Sequence, residues 1–379
     1  MVDLASVVRP GDGIVVGQAC AEPQTLVEAL VAQRAALSGC RLFLGASYSG
    51  IVKPEHADHL RLSTYCGIGR NRALADAGVI GILPIPYSHI ARLVRARAIA
   101  CDVVMIQVSA PNSRGEYSMG LAADYLMPAI EMARAVIAEV NEQVPWTHGE
   151  RVFRESDFAL VARSARPPAS PPAPKAAGIE EAIGRHAAGW IPQHATLEFG
   201  VGALPDAVCA SLKDHRGLSV HSGTVGDGVL CLETSRIDCA MLIGSPRLFA
   251  FAGENERVRL RSSEHTHGPR PLAAIERFVA INSAVEVDFT GQVNSEVANG
   301  SYVGAVGGAP DFVRAANQSP GGVSIIVIPA SRVVERLSGP VTVGRSDAGI
   351  VVTERGAADL RGCTLAERER RLRAISGSS

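Results

Sequence analysis

The most constraining feature of this chain is an alternation. Apolar runs too short for helices recur between stretches with helical patterning. In the first half the runs are Ile14–Val16, Leu42–Leu44, Val79–Leu83, Val103–Val108 and Val136–Val140. Helical stretches such as Thr25–Leu37 and Asp124–Ala135 lie between them. Buried strands that alternate with helices predict an α/β domain with a largely parallel sheet.

The second half repeats the style. A helix is expected over Gly178–Ala188. Strands are expected at Thr196–Phe199, Leu218–His221, Cys239–Ile243, Val285–Phe289, Ser324–Ile328 and Gly349–Val352. Between the halves, five of the ten residues of Arg166–Lys175 are proline. Proline fixes φ and removes a donor, so this stretch suits neither helix nor sheet interior. The expected organisation is an α/β domain over 1–165, a proline-rich linker or exposed loop over 166–177, and a second α/β domain over 178–379.

Charge narrows the partners. The 37 basic and 38 acidic side chains nearly cancel, leaving a formal charge of −1. There is no basic excess to neutralise a phosphate backbone, so neither nucleic acid nor a membrane surface is an expected partner. Asp3 and Arg9 interrupt the apolar N-terminal residues, so no signal peptide is expected. No run approaches the ~18 apolar residues of a membrane span. The eight cysteines form no C-x-x-C pair and read as free thiols in a reducing, cytoplasmic compartment.

Glycine loops carry the first chemical signal. Leu197-Glu-Phe-Gly-Val-Gly-Ala-Leu-Pro205 runs from a strand into a glycine turn, with Asp206 and Ala207 opening a helix. Amides in such a turn can face an anion or oxyanion. Gly304-Ala-Val-Gly-Gly-Ala-Pro-Asp-Phe312 is a second cluster. Neither fits the Walker or the dinucleotide pattern, so a P-loop ATPase or nicotinamide dehydrogenase is not indicated.

These loops belong to a longer set of phrases. Asp102–Pro111, Tyr117–Gly120, Val136–Pro145, Leu197–Pro205, His221–Val229, Ile281–Gln292, Val306–Phe312 and Val351–Gly362 together resemble the acetyl-CoA hydrolase/transferase family, a branch of the class I CoA-transferases that includes 4-hydroxybutyrate CoA-transferases. The phrases follow the family order over nearly the whole chain. The resemblance implies two tandem open α/β domains with the active site between them. It implies coenzyme A or an acyl-CoA as substrate, an acceptor molecule and a homo-oligomer such as a homodimer; no metal is expected. It also implies ping-pong chemistry, in which a glutamate carries first the acyl group and then CoA.

The sequence departs from the family at that glutamate. The family phrase His-Ser/Thr-Glu-Met, followed by Asp-Gly-Val, aligns without a gap on His221-Ser-Gly-Thr-Val-Gly-Asp-Gly-Val229, which places Gly223 at the nucleophile position. Glycine can form neither anhydride nor thioester, and loss of a covalent nucleophile costs many orders of magnitude. The family's Leu-Gln before the first glycine loop is here Leu197-Glu198, and its Gly-Ile-Gly-Gly-Gln is here Ala305-Val306-Gly307-Gly308-Ala309.

Glu198 is therefore the leading catalytic candidate, as general base or relocated carrier; the alternative is a surface glutamate at a strand end. His221 is a second candidate base, or else a packed strand-end histidine. Gly200, Gly202, Ser222 and Thr224 would form the oxyanion and substrate loop. Val306, Gly307, Gly308, Asp311 and Phe312 would hold CoA. Cys20 is a candidate acyl-site thiol against an inert small residue, a choice that Cys66 and Cys231 share. Asp227 reads as a turn residue. His265 and His267 form an H-x-H pair, a weak metal signal without cysteine or carboxylate spacing nearby. The expected function is direct acyl transfer or thioester hydrolysis from acyl-CoA without a glutamyl intermediate. The alternatives are CoA transfer through Glu198 and a non-catalytic acyl-CoA-binding protein.

Overall fold

The structure is a computed structural model that describes residues 2–172 and 178–377. The chain divides into two compact units. The first comprises Met1–Pro171, Ala240–Glu264 and Ser301–Ala305; the second comprises Pro172–Cys239, His265–Gly300 and Val306–Ser379.

The first unit is built on seven strands: β1 (Gly13–Val16), β2 (Arg41–Leu44), β3 (Arg61–Thr64), β4 (Ile80–Ile82), β5 (Val103–Ser109), β6 (Ala135–Asn141) and β7 (Leu160–Ser164). Their order is β4-β3-β2-β1-β5-β6-β7, and every neighbouring pair is parallel. β1 and β5 are buried at every residue, as expected of strands covered on both faces. Leu26 and Leu30 of helix Gln24–Gln33 pack with Ile14, Val16, Leu42 and Met105 in one core.

That helix shows how the tertiary structure completes local elements. Its N-cap is Pro23, which makes no side-chain cap. Instead, Glu139 on β6 accepts from the backbone N–H groups of Thr25 and Leu26 at 2.7 and 3.3 Å, satisfying donors that a helix start leaves open.

The expected helix Asp124–Ala135 is shorter, spanning Leu126–Met132, and Ala135 already belongs to β6. Asp124 has φ +23° and so stands outside the helix, its Oδ1 accepting from Leu126 N–H at 2.9 Å. Described residues of the proline-rich stretch are docked on the first unit. Asn141 donates to the Arg166 carbonyl at 2.9 Å, Gln24 to the Pro167 carbonyl at 2.9 Å and Ser170 to the Gly244 carbonyl at 3.3 Å. The remainder of that stretch, 173–177, lies outside the described residues.

The second unit uses β8 (Thr196–Phe199), β9 (Leu218–Val225), β10 (Thr234–Leu242, in this unit up to Cys239), β11 (Phe278–Ser283), β12 (Val323–Val327), β13 (Ile350–Thr353) and β14 (Gly356–Asp359). They are hydrogen-bonded in the order β14-β13-β12-β11-β8-β9-β10. The pairs β8–β9, β8–β11, β11–β12 and β12–β13 are parallel, and β13–β14 is antiparallel. The expected strand Val285–Phe289 shrinks to Glu286–Asp288 and sits in a separate three-stranded sheet. The sheet position belongs to β11, which is one long apolar step earlier and has Phe278–Ile281 fully buried. Among the described residues, no helix is long and apolar enough to cross a membrane.

Candidate functional site

The strand order of the second unit reverses direction between β8 and β11. From β8 the chain builds outward through β9 and β10, then returns to β11 on the other side and continues to β12 and β13. In open parallel sheets, ligands gather at the carboxyl ends of the strands flanking such a switch point. Glu198 lies near the end of β8 and Asn282 near the end of β11.

These two side chains meet. Asn282 Nδ2 donates to Glu198 Oε2 at 2.9 Å. Glu198 is only 4 % exposed, so it is not a surface glutamate. Burial pushes its carboxyl up to about 8, against the hydrogen bonds from Asn282 and the Ile281 backbone that pull it down. A carboxyl that titrates near neutrality close to the end of a strand is suited to proton transfer.

Beyond Glu198 the chain turns through Gly200 and Gly202 into helix Ala203–Ala210, which opens at Ala203, three residues before the expected Asp206. Gly202 has φ +124° and ψ −179°, a conformation essentially restricted to glycine. A Cβ at Gly200 or Gly202 would meet nothing within 4 Å. The helix has no side-chain cap, so the amides of Ala203 and Leu204 remain open to an acceptor, while Pro205 has none. Asp206 Oδ1 accepts from Gly228 N–H at 3.1 Å, tying this helix to the turn at Asp227–Cys231. Asp227 opens that turn, as expected.

On β9 the residues expected to touch substrate have different fates. The Ser222 hydroxyl is fully buried, 2.9 Å from the Phe199 carbonyl and 2.7 Å from the Thr224 carbonyl. It clamps β9 to β8 and is committed to the backbone. Thr224 is half-buried. His221 is packed within β9, with its Nε2 3.0 Å from the Thr266 carbonyl. Burial lowers its pKa to about 4, so the ring is neutral.

Gly223 has an unexpected neighbour. A Cβ placed there would lie 2.7 Å from His267 Nε2 and 2.9 Å from His267 Cε1. His267 is 3 % exposed, its Nδ1 lies 2.8 Å from Thr266 Oγ1, and its ring sits 4.6 Å from that of Phe312. Gly308 faces the same ring: a Cβ there would be 2.8 Å from His267 Nε2 and 2.6 Å from Phe312 Cε2. Two glycines thus leave the space that the imidazole fills. Composition and spacing gave His267 only as half of an H-x-H pair; no local pattern signals its packing against positions 44 and 41 residues away.

The other candidates separate. Phe312 is a core residue, buried with Leu272, Phe278, Ala280 and Ala316. Val306 and Gly307 lead into helix Ala309–Gln318, where Gly308 is the N-cap and Asp311 lies in the first turn. Cys20 is fully buried in the turn Ala19–Ala21. Cys66 is likewise buried, and Cys231 is exposed. The first unit holds polar groups that sequence reading missed, placed beyond β1 at its own switch point between β1 and β5. Gln18 Nε2 donates to Tyr87 Oη and Asp124 Oδ2, both at 2.7 Å, and Glu22 holds Ser47 and Ser49. Their only local signal is polarity beside an apolar strand.

Comparisons with known proteins agree with this architecture. Residues 1–156 match the acetyl-CoA hydrolase/transferase N-terminal domain, and 244–379 match the C-terminal domain. The chain is 33% identical over 383 aligned residues to 4-hydroxybutyrate coenzyme A transferase of Clostridium kluyveri, covering 95% of this chain and 89% of that one. RipA from Yersinia pestis superposes with a TM-score of 0.92 at 27% identity, over 98% of this chain and 92% of that chain. A 4-hydroxybutyrate CoA-transferase from Porphyromonas gingivalis superposes with a TM-score of 0.81 at 28% identity, with the same coverage of 98% and 92%.

Proposed function

The chain belongs to the acetyl-CoA hydrolase/transferase family, and from that premise we propose that this acyl-CoA enzyme moves its acyl group directly to an acceptor, or to water, without a glutamyl-CoA intermediate. The observation that carries the reading is the space at position 223. The residue there is glycine, and the direction its side chain would take is filled by the His267 ring at 2.7 Å. A covalent carrier at that point has neither an atom to use nor room to stand in.

Glu198 supplies the chemistry in this reading. Its carboxyl accepts the proton of the attacking hydroxyl, amine or water, and the loop Gly200–Gly202 with the first amides of helix Ala203–Ala210 stabilises the oxyanion. The bond to the acyl carbon forms from the acceptor, the C–S bond breaks, and CoA leaves as thiolate. The half-buried residues Val306 and Gly307 of the loop and Asp311 of the helix's first turn would contact the CoA moiety. Transfer to an acceptor is favoured over hydrolysis, because a relative 33% identical over 95% of this chain is a named transferase.

The test uses the full chain with a panel of acyl-CoAs and carboxylate, amine and alcohol acceptors, with and without borohydride. Direct transfer gives CoA release and no reduced glutamate. Glu198→Gln lowers kcat about 10²–10⁴-fold, the usual contribution of a general base. In the wild type, kcat/KM rises with pH through a midpoint near 8 and levels above it, where Glu198 has lost its proton. A borohydride-reduced Glu198 would establish the second reading, CoA transfer through a relocated carboxylate, which the names of the relatives favour. No CoA release with any acyl-CoA would mark a binding protein.

A further inference from the structure

His221 on β9, Asp238 on β10 and His265 in the turn Ser263–Thr266 converge in the second unit. One donor atom from each lies within 4.8 Å of the other two. His221 and Asp238 are 7 % and 5 % exposed, whereas His265 is half-buried. The two rings stand 5.5 Å apart at an interplanar angle of 39°. The H-x-H spacing pointed to His265 with His267, but the structure turns His267 toward Gly223 and gives His265 other company.

The surroundings fit a coordinating role. The Thr266 carbonyl can only accept, so His221 Nε2 carries the proton of their 3.0 Å hydrogen bond and Nδ1 keeps a lone pair. A ring nitrogen donated to a backbone carbonyl, with the other directed at a cation, is the usual outer-shell arrangement of metal-bound histidine. Asp238 adds a carboxylate whose Oδ2 is held by Arg236, itself 57% exposed. Two imidazoles and one carboxylate form a borderline donor set that suits first-row divalent ions with positions left for solvent.

We propose that His221, Asp238 and His265 form a binding site for one divalent first-row transition cation of the zinc class. Its consequence lies on β9: His221 and Gly223 are two residues apart on one face, so occupancy would pin the His265 turn to the strand that carries the candidate site.

The test is calorimetric titration of the chelator-treated full chain with Zn2+, followed by the visible spectrum of the Co2+ form. One equivalent should bind, with d–d bands and no thiolate charge-transfer band. His265→Ala and Asp238→Asn should each weaken binding more than about tenfold. His194→Ala, an exposed histidine elsewhere, should leave it unchanged. Circular dichroism checks that each variant folds. Because His265 is half-buried and Asp238→Asn preserves shape, at least one variant is expected to remain native. Absence of binding, unchanged affinity in a folded variant, or a thiolate band in the cobalt spectrum would each overturn the proposal.

Discussion

Gly223 and His267 are matched in volume, and that match is the sharpest residue-scale feature of the second unit. Gly223→Ala places a methyl 2.7 Å from His267 Nε2 and 3.5 Å from Phe312 Cε2. Such overpacking costs about 1–3 kcal/mol, because the Thr266 contact and the Phe312 ring hold the imidazole in place. His267→Ala alone leaves a cavity and also destabilises. The double variant should cost less than the sum of the two, since each change relieves the other. Urea unfolding of the four proteins measures this coupling; strict additivity would show that the ring does not constrain position 223.

At the scale of elements, the strand–turn–helix from β8 to Ala203–Ala210 depends on one backbone conformation. Gly202 sits at φ +124° and ψ −179°, so Gly202→Ala pays a strain of about 1–3 kcal/mol although its Cβ meets nothing. Gly200 has no positive φ and the same open surroundings, so Gly200→Ala should change stability by no more than about 0.5 kcal/mol. Comparing the two urea midpoints separates backbone strain from packing; equal effects would remove strain as the reason for the second glycine. The elements also show why boundaries shift between sequence and structure. Asp124 looks helical by its apolar neighbours, yet its carboxylate bonds to Gln18, and it leaves the helix to do so. Glu139 reads as a polar residue in a strand, and its role as the cap of helix Gln24–Gln33 depends on a partner 114 residues away.

For the whole molecule, Glu198 links folding to pH. Folding raises its pKa from 4.5 to about 8 by burial, so the native state holds the proton more tightly than the unfolded chain. Its contribution is complete below 4.5 and is lost as pH rises through about 8. Relative to Glu198→Gln, the wild type should lose about 1.4 kcal/mol per pH unit across that window. Denaturant titrations at several pH values in chelator test it, and parallel profiles would show that Glu198 is solvated. The α/β class, the paired units, the family and the glycine at 223 were all legible in the sequence. Each rests on residue type, short-range periodicity or ordered phrases, which survive without a partner in space. The tertiary structure decided the rest: the return of Ala240–Glu264 and Ser301–Ala305 to the first unit, the burial of Glu198 against Asn282, the filling of the Gly223 space by His267, and the meeting of His221, Asp238 and His265. These depend on which distant segments share a core, and burial and proximity are properties of the packed chain that no local window of sequence contains.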